Sequence, residues 1–274
     1  MNIAYNIQPQ QVDSQSRLFI ELSLQGVCFT ILDNNNTFTS LVSYTFPLNT
    51  NGNAAAKFLK EIFAAEKIIQ YNFKRIDIIH AFAETVLVPN EFMNSDTTNE
   101  MLELIYGNIN TRIVKNDLLY KHHIYNVYGV PADVAAVISE QFLFVLHSHQ
   151  YSFLPDFLNA KTNSLYCIFG NNHITITLMK EGKLQLIQCF YFQTAEDVIY
   201  HLLNVCQAHR MNTKEVDLHI AGLLDIKSAL YLKINHEFKN ITLETHPLNF
   251  QFASEIEKIP AHFFSHLFAI AACV

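Results

Sequence analysis

Apolar positions between Arg17 and Phe46 fall in three short runs, Arg17–Leu24, Gly26–Leu32 and Phe38–Phe46. A Gln-Gly turn separates the first two, and the polar stretch Asp33–Asn36 precedes the third. Runs of this length bounded by turn residues predict three strands joined as hairpins. The period then changes. In Asn53–Ile69 (NAAAKFLKEIFAAEKII), Phe58, Ile62 and Phe63 share one face at helical spacing and predict an amphipathic helix. Lys74–Phe82 (KRIDIIHAF) is a short apolar run of the kind buried within a sheet. A helix over Thr98–Tyr106, a strand over Lys121–Tyr128 and a helix running from Pro131 to Leu146 complete this half; proline suits a first helical turn.

The pattern then restarts. Leu165–Phe192 predicts three more strands, with turns at Gly170–Asn172 and Lys180–Lys183. Thr194–Arg210 predicts a helix with Thr194 as N-cap and Asp197 at the capping-box spacing. A strand over Lys214–Gly222, a helix over Leu224–Phe238, a strand over Ile241–Pro247 and a closing helix over Pro260–Val274 follow. Val27–Leu32 (VCFTIL) overlays Ile174–Met179 (ITITLM) at an offset of 147. Lys74–Ala81 (KRIDIIHA) overlays Lys214–Ala221 (KEVDLHIA) at 140, setting Asp77 over Asp217. Because the order βββαβαβα recurs whole, the chain is read as a duplicated α/β unit with lobes 1–153 and 154–274. Each lobe is a mixed sheet, its first three strands antiparallel, covered by helices.

Composition narrows the function classes. Half of the 274 residues are apolar and 16% are charged, enough apolar content for a sizeable core. A net charge of −7 with scattered Lys and Arg argues against a nucleic-acid partner, which needs a basic patch to neutralise phosphates. The last apolar run, Leu267–Val274, is far too short to span a bilayer, so no membrane partner is expected. The opening MNIAYNIQPQQ has neither a basic nor an apolar leader segment, so no signal peptide and a cytoplasmic location are expected. Five cysteines without metal-type spacing suggest reduced thiols, with Cys28, Cys167, Cys189 and Cys206 as core residues. Neither a disulfide nor zinc is expected. Seven glycines leave room for few phosphate-cradling loops. Most of the 22 Phe and 12 Tyr, densest in His123–Val130 and Phe263–Phe268, fit a core; an exposed remainder would favour protein contact.

Three stretches invite chemistry: Glu21-Leu22-Ser23-Leu24 at the first hairpin turn, Ile168-Phe169-Gly170-Asn171-Asn172-His173 at its counterpart, and Ala221-Gly222-Leu223-Leu224 closing a buried strand. Their order resembles that of the actin-like ATPase superfamily, the duplicated ribonuclease-H-like fold of actin, Hsp70 chaperones and sugar kinases. In layout and length the whole chain resembles the domain of unknown function 3822. The superfamily's first phosphate loop is Asp-x-Gly-Thr/Ser; here the acid is Glu21, the glycine is Ser23 and the hydroxyl position is Leu24. The second is Asp-x-Gly-Gly-Gly-Thr; here Ile168 replaces the metal-associated carboxylate, ahead of Gly170, Asn171 and Asn172. The adenosine motif, Gly-Gly, is Ala221-Gly222. The resemblance further implies that the closing helix packs against the first lobe.

A magnesium-bound nucleotide needs hard oxygen ligands and free backbone N–H groups. An isoleucine in place of the carboxylate removes a charge, and Leu24 sets an apolar branch where phosphate oxygens would lie. Desolvating those oxygens without partners costs at least several kcal/mol, since even a neutral polar group costs about 2–7 kcal/mol. Leu24, Ile168 and Phe169 are therefore expected to crowd the phosphate position, leaving degenerate loops, no catalytic residue and no cofactor. The expected function is a non-catalytic binding or scaffolding module with a protein partner. Two alternatives stay open: a divergent kinase-like ATP-dependent enzyme using Glu21, and a metal-dependent nuclease pairing Glu21 with Asp77. Metal could also be held by His147 with His149, by His122 with His123, or by His201 with His209.

Overall fold

Both halves of the chain build sheets of one order. The computed structural model describes residues 1–94, 97–158 and 162–273. Packing divides the chain into two units, 1–152 with 249–258, and 153–248 with 259–274. The first unit carries β1 (Asn2–Ile7), β2 (Arg17–Leu22), β3 (Gly26–Leu32), β4 (Thr37–Thr45), α1 (Gly52–Ala65), β5 (Arg75–His80), β6 (Thr85–Pro89), α2 (Thr97–Tyr106), β7 (Arg112–Leu119), β8 (Ile124–Pro131), α3 (Ala132–Gln141) and β9 (Leu146–His149). The second carries β10 (Ser164–Phe169), β11 (His173–Lys180), β12 (Lys183–Tyr191), α4 (Ala195–Ala208), β13 (Asp217–Gly222), α5 (Ala229–Glu237) and β14 (Asn240–Leu243). Next, β15 (Gln251–Phe252) and α6 (Ser254–Glu257) return to the first unit, and α7 (Ser265–Cys273) ends the second.

The first unit's main sheet runs β1-β4-β3-β2-β5-β9, with β15 also on β4; the second unit's runs β12-β11-β10-β13-β14. In each, three antiparallel strands are followed by two parallel to the first. Strands β5 and β13 hold the same sheet position, as duplication requires. The hairpins align at the offset read from the sequence, since Glu21 faces Cys28 and Ile168 faces Thr175. The fourth strands align two residues away from that reading. Ile79 lies beside Glu21 and Ala221 beside Ile168, an offset of 142, so the counterpart of Asp77 is His219 rather than Asp217. A slip of two keeps every side chain on its own face, so the apolar pattern alone could not exclude it.

Other departures have local causes. Helix α1 starts where Asn51 accepts a 3.0 Å bond from the Ala54 N–H, and it ends at Ala65 rather than Ile69. There Glu66 turns its carboxylate inward to accept from Tyr44 Oη and, at 3.1 Å, from Gln8 Nε2. Helix α3 stops at Gln141, not Leu146, because Phe142 leaves the helix to enter the core against Phe63, 5.5 Å away between ring centroids. The released chain becomes β9, which fills the fifth sheet position. The run read as a strand over Lys121–Tyr128 is instead a 3-10 turn followed by β8. That strand is the middle of a separate sheet, β6-β8-β7, whose small core joins Val88, Leu102, Ile109 and Val127. Helix α7 belongs with the second unit, against β13, rather than with the first lobe. Asn249–Lys258 is the late segment that joins the first unit, through β15 on β4.

The main cores are built alike. In the first unit Leu18, Ile20, Leu22, Phe29 and Ile31 meet Leu59, Ile62 and Phe63 of α1 and Val134, Val137 and Ile138 of α3. In the second, Leu165, Phe169, Ile174, Ile176 and Leu178 meet Val198, Leu202 and Val205 of α4. Both densest aromatic stretches are largely internal, with Tyr128, Phe264 and Phe268 buried. Cys28, Cys167 and Cys206 are buried, Cys189 is half-buried and Cys273 is exposed, all as free thiols. Burial pushes the Cys206 thiol up to about 11.

Candidate functional site

The β2–β3 turn is closed on itself. The Ser23 N–H donates to the Gly26 carbonyl at 3.0 Å, and Ser23 Oγ accepts from the Gln25 N–H at 3.1 Å. Two backbone donors of the turn are thus engaged within it. Leu24 packs against the first core. Glu21, half-buried on β2, accepts a 3.0 Å bond from Gln150 Nε2, whose side chain follows β9. Asp77 lies on the same face of the sheet, two positions down the strand. Arg75 grips it through Nη2 at 2.6 Å, with Arg17 Nη2 at 3.6 Å. Asp77 is therefore a buried ion-pair partner rather than a second metal-facing acid.

The β10–β11 turn is tighter. The Gly170 N–H donates to the His173 carbonyl at 2.9 Å. The His173 imidazole lies over Gly170 so closely that a Cβ there would come within 2.1 Å of Cε1. Asn171 is exposed, and the Asn172 carbonyl accepts from the Phe192 N–H at 3.0 Å. Ile168 is buried on β10, on the face opposite Phe169, which fills the second core. At the end of β13, Ala221 is buried and Gly222 takes φ +85°, with its N–H on the His262 carbonyl at 2.7 Å. A Cβ at Gly222 would meet the Phe169 carbonyl oxygen at 2.2 Å. The Leu223 N–H donates to that same oxygen at 2.7 Å. Packing of β13 on β10 is sufficient reason for this glycine.

The first unit also gathers a buried histidine cluster that sequence order only half reveals. His147 and His149 belong to β9 and His80 to β5; His80 Nε2 and His147 Nδ1 share a hydrogen bond of 3.0 Å with stacked rings. His149 commits both nitrogens. Nε2 donates to the Phe82 carbonyl at 3.0 Å, and Nδ1 accepts from the Tyr151 N–H at 3.1 Å. That fixes a neutral tautomer and leaves no lone pair for a metal. Burial lowers His147 and His149 to about 4, and His80 well below its ordinary value. Asp117 accepts from the His149 N–H at 2.6 Å and from Ser152 Oγ at 2.7 Å, and burial raises its pKa. Elsewhere, His201 Nε2 lies 3.3 Å from the Tyr191 carbonyl. Among the described residues, no group of three or more His, Cys, Asp or Glu side chains is placed to hold a metal.

Two sheets of one order, each opening on a hairpin whose turn aligns with the other, define an actin-like architecture. Solved structures agree. The chain is similar over 96% of its length to the whole of a Bacteroides thetaiotaomicron VPI-5482 protein with an actin-like ATPase fold and unknown function, at 21% identity and TM-score 0.80. It is similar over 94% of its length to 98% of a chain in the PilM-PilN type IV pilus biogenesis complex, at 10% identity and TM-score 0.65. It also resembles ethanolamine utilization protein EutJ from Carboxydothermus hydrogenoformans, at 7% identity and TM-score 0.51, over 97% of this chain and 91% of that one. The fold is the actin-like ATPase fold. Residues 8–241 match the family described as Protein of unknown function (DUF3822), and the chain belongs to that family. No curated protein matches it.

Proposed function

We propose that this chain is a non-catalytic member of the actin-like fold, a cytoplasmic module that binds another protein. One observation carries the reading: both hairpin turns at which this fold would hold a nucleotide's phosphates are closed on themselves. Ser23, Gln25 and Gly26 close the first, and Gly170 with the overlying His173 closes the second. The residues that would supply oxygens are missing too, with Leu24 packed on a core and Ile168 in the carboxylate position. Stripping charged phosphate oxygens of water against such groups, with no compensating bond, costs more than the ~2–7 kcal/mol of a neutral polar group. The pilus-biogenesis neighbour is itself a complex of two proteins, which supports a binding role for such an architecture.

One feature favours a second reading, an ATP-dependent enzyme of kinase-like type: Glu21 remains a half-exposed carboxylate at the strand end. Phosphate release from millimolar Mg-ATP separates the two. Wild type and Glu21→Ala are both expected to show no turnover above buffer. Turnover in the wild type that Glu21→Ala abolishes would establish the enzyme.

A further inference from the structure

We infer that the open edge of β9, with the Leu143–Leu146 segment leading into it, is the docking site for an extended peptide of a partner protein carrying apolar and acidic residues. This places the binding-module reading on the molecule, and it rests on that reading. Leu143 is 93% exposed, Phe144 89% and Leu146 51%, an apolar run in solvent within a chain whose other aromatics are largely internal. The run is held from behind, since Phe142 is buried and Val145 packs against the first core. Beside it lies a cleft of about 500 Å³, lined by Phe142, Phe144, Leu146, His147, Lys74 and Arg75.

The backbone suits strand addition. Among the described residues β9 is the last strand of its sheet and pairs only with β5. Asp117 takes the His149 N–H, so the far end of this edge is already occupied and Leu146–Ser148 is the open stretch. Exposed sheet edges beside side-chain pockets are where extended peptides dock, with main-chain bonds giving affinity and alternate side chains giving specificity.

Charge selects the occupant. The chain carries −7 overall, yet the charged residues of the cleft are Lys74 and Arg75. Nearby carboxylates are already held, Asp77 by Arg75 and Arg17, and Glu140 by Lys60 at 3.0 Å. Lys74 makes no ion pair among the described residues and awaits an acidic group.

The test is selection of a phage-displayed random peptide library on the full chain, followed by fluorescence polarisation with the selected peptide. Phe144→Asp and Lys74→Glu replace exposed side chains, and their melting temperatures confirm folding. Selected peptides should combine Asp or Glu with Val, Ile, Leu or Phe. Phe144→Asp should weaken binding about tenfold or more. Lys74→Glu and added salt should weaken it several-fold. Failure to enrich any peptide, or enrichment of basic ones, overturns the assignment. Peptides that bind both variants as well as wild type overturn this edge while leaving the binding-module reading intact at another surface. Self-association of the chain that Phe144→Asp abolishes makes the occupant a second copy and overturns the partner. Turnover of ATP lost in Glu21→Ala would instead refute the module itself, whatever the peptides do.

Discussion

Acid should destabilise the first unit through His149, by an amount the structure sets. The ring is fully buried and its two nitrogens are fixed by the Phe82 carbonyl and the Tyr151 N–H. Burial lowers its pKa from 6.5 to about 4. An unfolded chain therefore takes up a proton near pH 6.5 that the folded chain refuses until near pH 4. Between those values the folded state binds fewer protons, so the stabilisation is fully present above about pH 6.5 and is lost as pH falls. His149 alone accounts for about 2 kcal/mol lost by pH 5 and about 3 kcal/mol by pH 4. Against a total stability on the order of 5–15 kcal/mol, that is a large share.

Urea unfolding at several pH values, on wild type and His149→Gln, measures it. Glutamine keeps a donor for the Phe82 carbonyl but does not titrate. The variant should be less stable near pH 7.5 by about 1–3 kcal/mol, since the Tyr151 N–H loses its acceptor. From about pH 7.5 to about pH 5 it should then lose about 2 kcal/mol less than wild type. His80, His147 and Asp117 also titrate abnormally but are present in both proteins, so the difference reports His149 together with the effect of its charge on His80. Parallel pH curves for the two proteins would refute the buried, neutral assignment.

Gly222→Ala adds the energy of a left-handed backbone, about 1–2 kcal/mol, and sets a Cβ against the Phe169 carbonyl. Its melting temperature should fall by roughly 6–12 °C for a total near 3 kcal/mol, and an unchanged value would remove the packing explanation. Thr194→Ala should cost about 1 kcal/mol in urea unfolding, because Thr194 and Asp197 form a complete capping box; a neutral result would deny that cap. Thiol labelling of native protein with Ellman's reagent should report Cys273 first, with Cys28, Cys167 and Cys206 reacting only in denaturant. Rapid labelling of all five would contradict the burial.

Local chemistry was the legible part of the sequence. Thr194 and Asp197 are three residues apart, and the hairpins around Gln25-Gly26 and Gly170 carry their turn signals within them. What needed the structure depends on distant partners. Strands β1 and β15 exist because β4 offers its edge, to Asn2–Ile7 at one end and to Gln251–Phe252 at the other. Helix α3 and strand β9 read as one helix because Phe142, Val145 and Leu146 fit helical spacing; only the pocket beside Phe63 pulls Phe142 out. Lys121–Tyr128 fits the fifth strand of the first sheet equally well by sequence, since nothing local marks β8 as part of another sheet. In the candidate site, the residues of the three stretches Glu21–Leu24, Ile168–His173 and Ala221–Leu224 were visible in the sequence. The closure of the two hairpin turns was not, nor was the Gln150 bond to Glu21 across 129 residues. The histidine cluster was half visible, because His147 and His149 are neighbours while His80 lies 67 residues from His147.

Thermal melting of the full chain with and without millimolar Mg-ATP, repeated on Glu21→Ala, tests the non-catalytic reading most directly. A ligand that binds only the folded state adds about 2.7 kcal/mol at a hundredfold excess over its dissociation constant. That corresponds to roughly 5–10 °C for a chain of this size. With Leu24 on a core, Ile168 buried and both turns closed, Mg-ATP is expected to leave both melting temperatures unchanged. A reproducible rise in the wild type that disappears in Glu21→Ala would contradict the account and make this chain a nucleotide-binding protein.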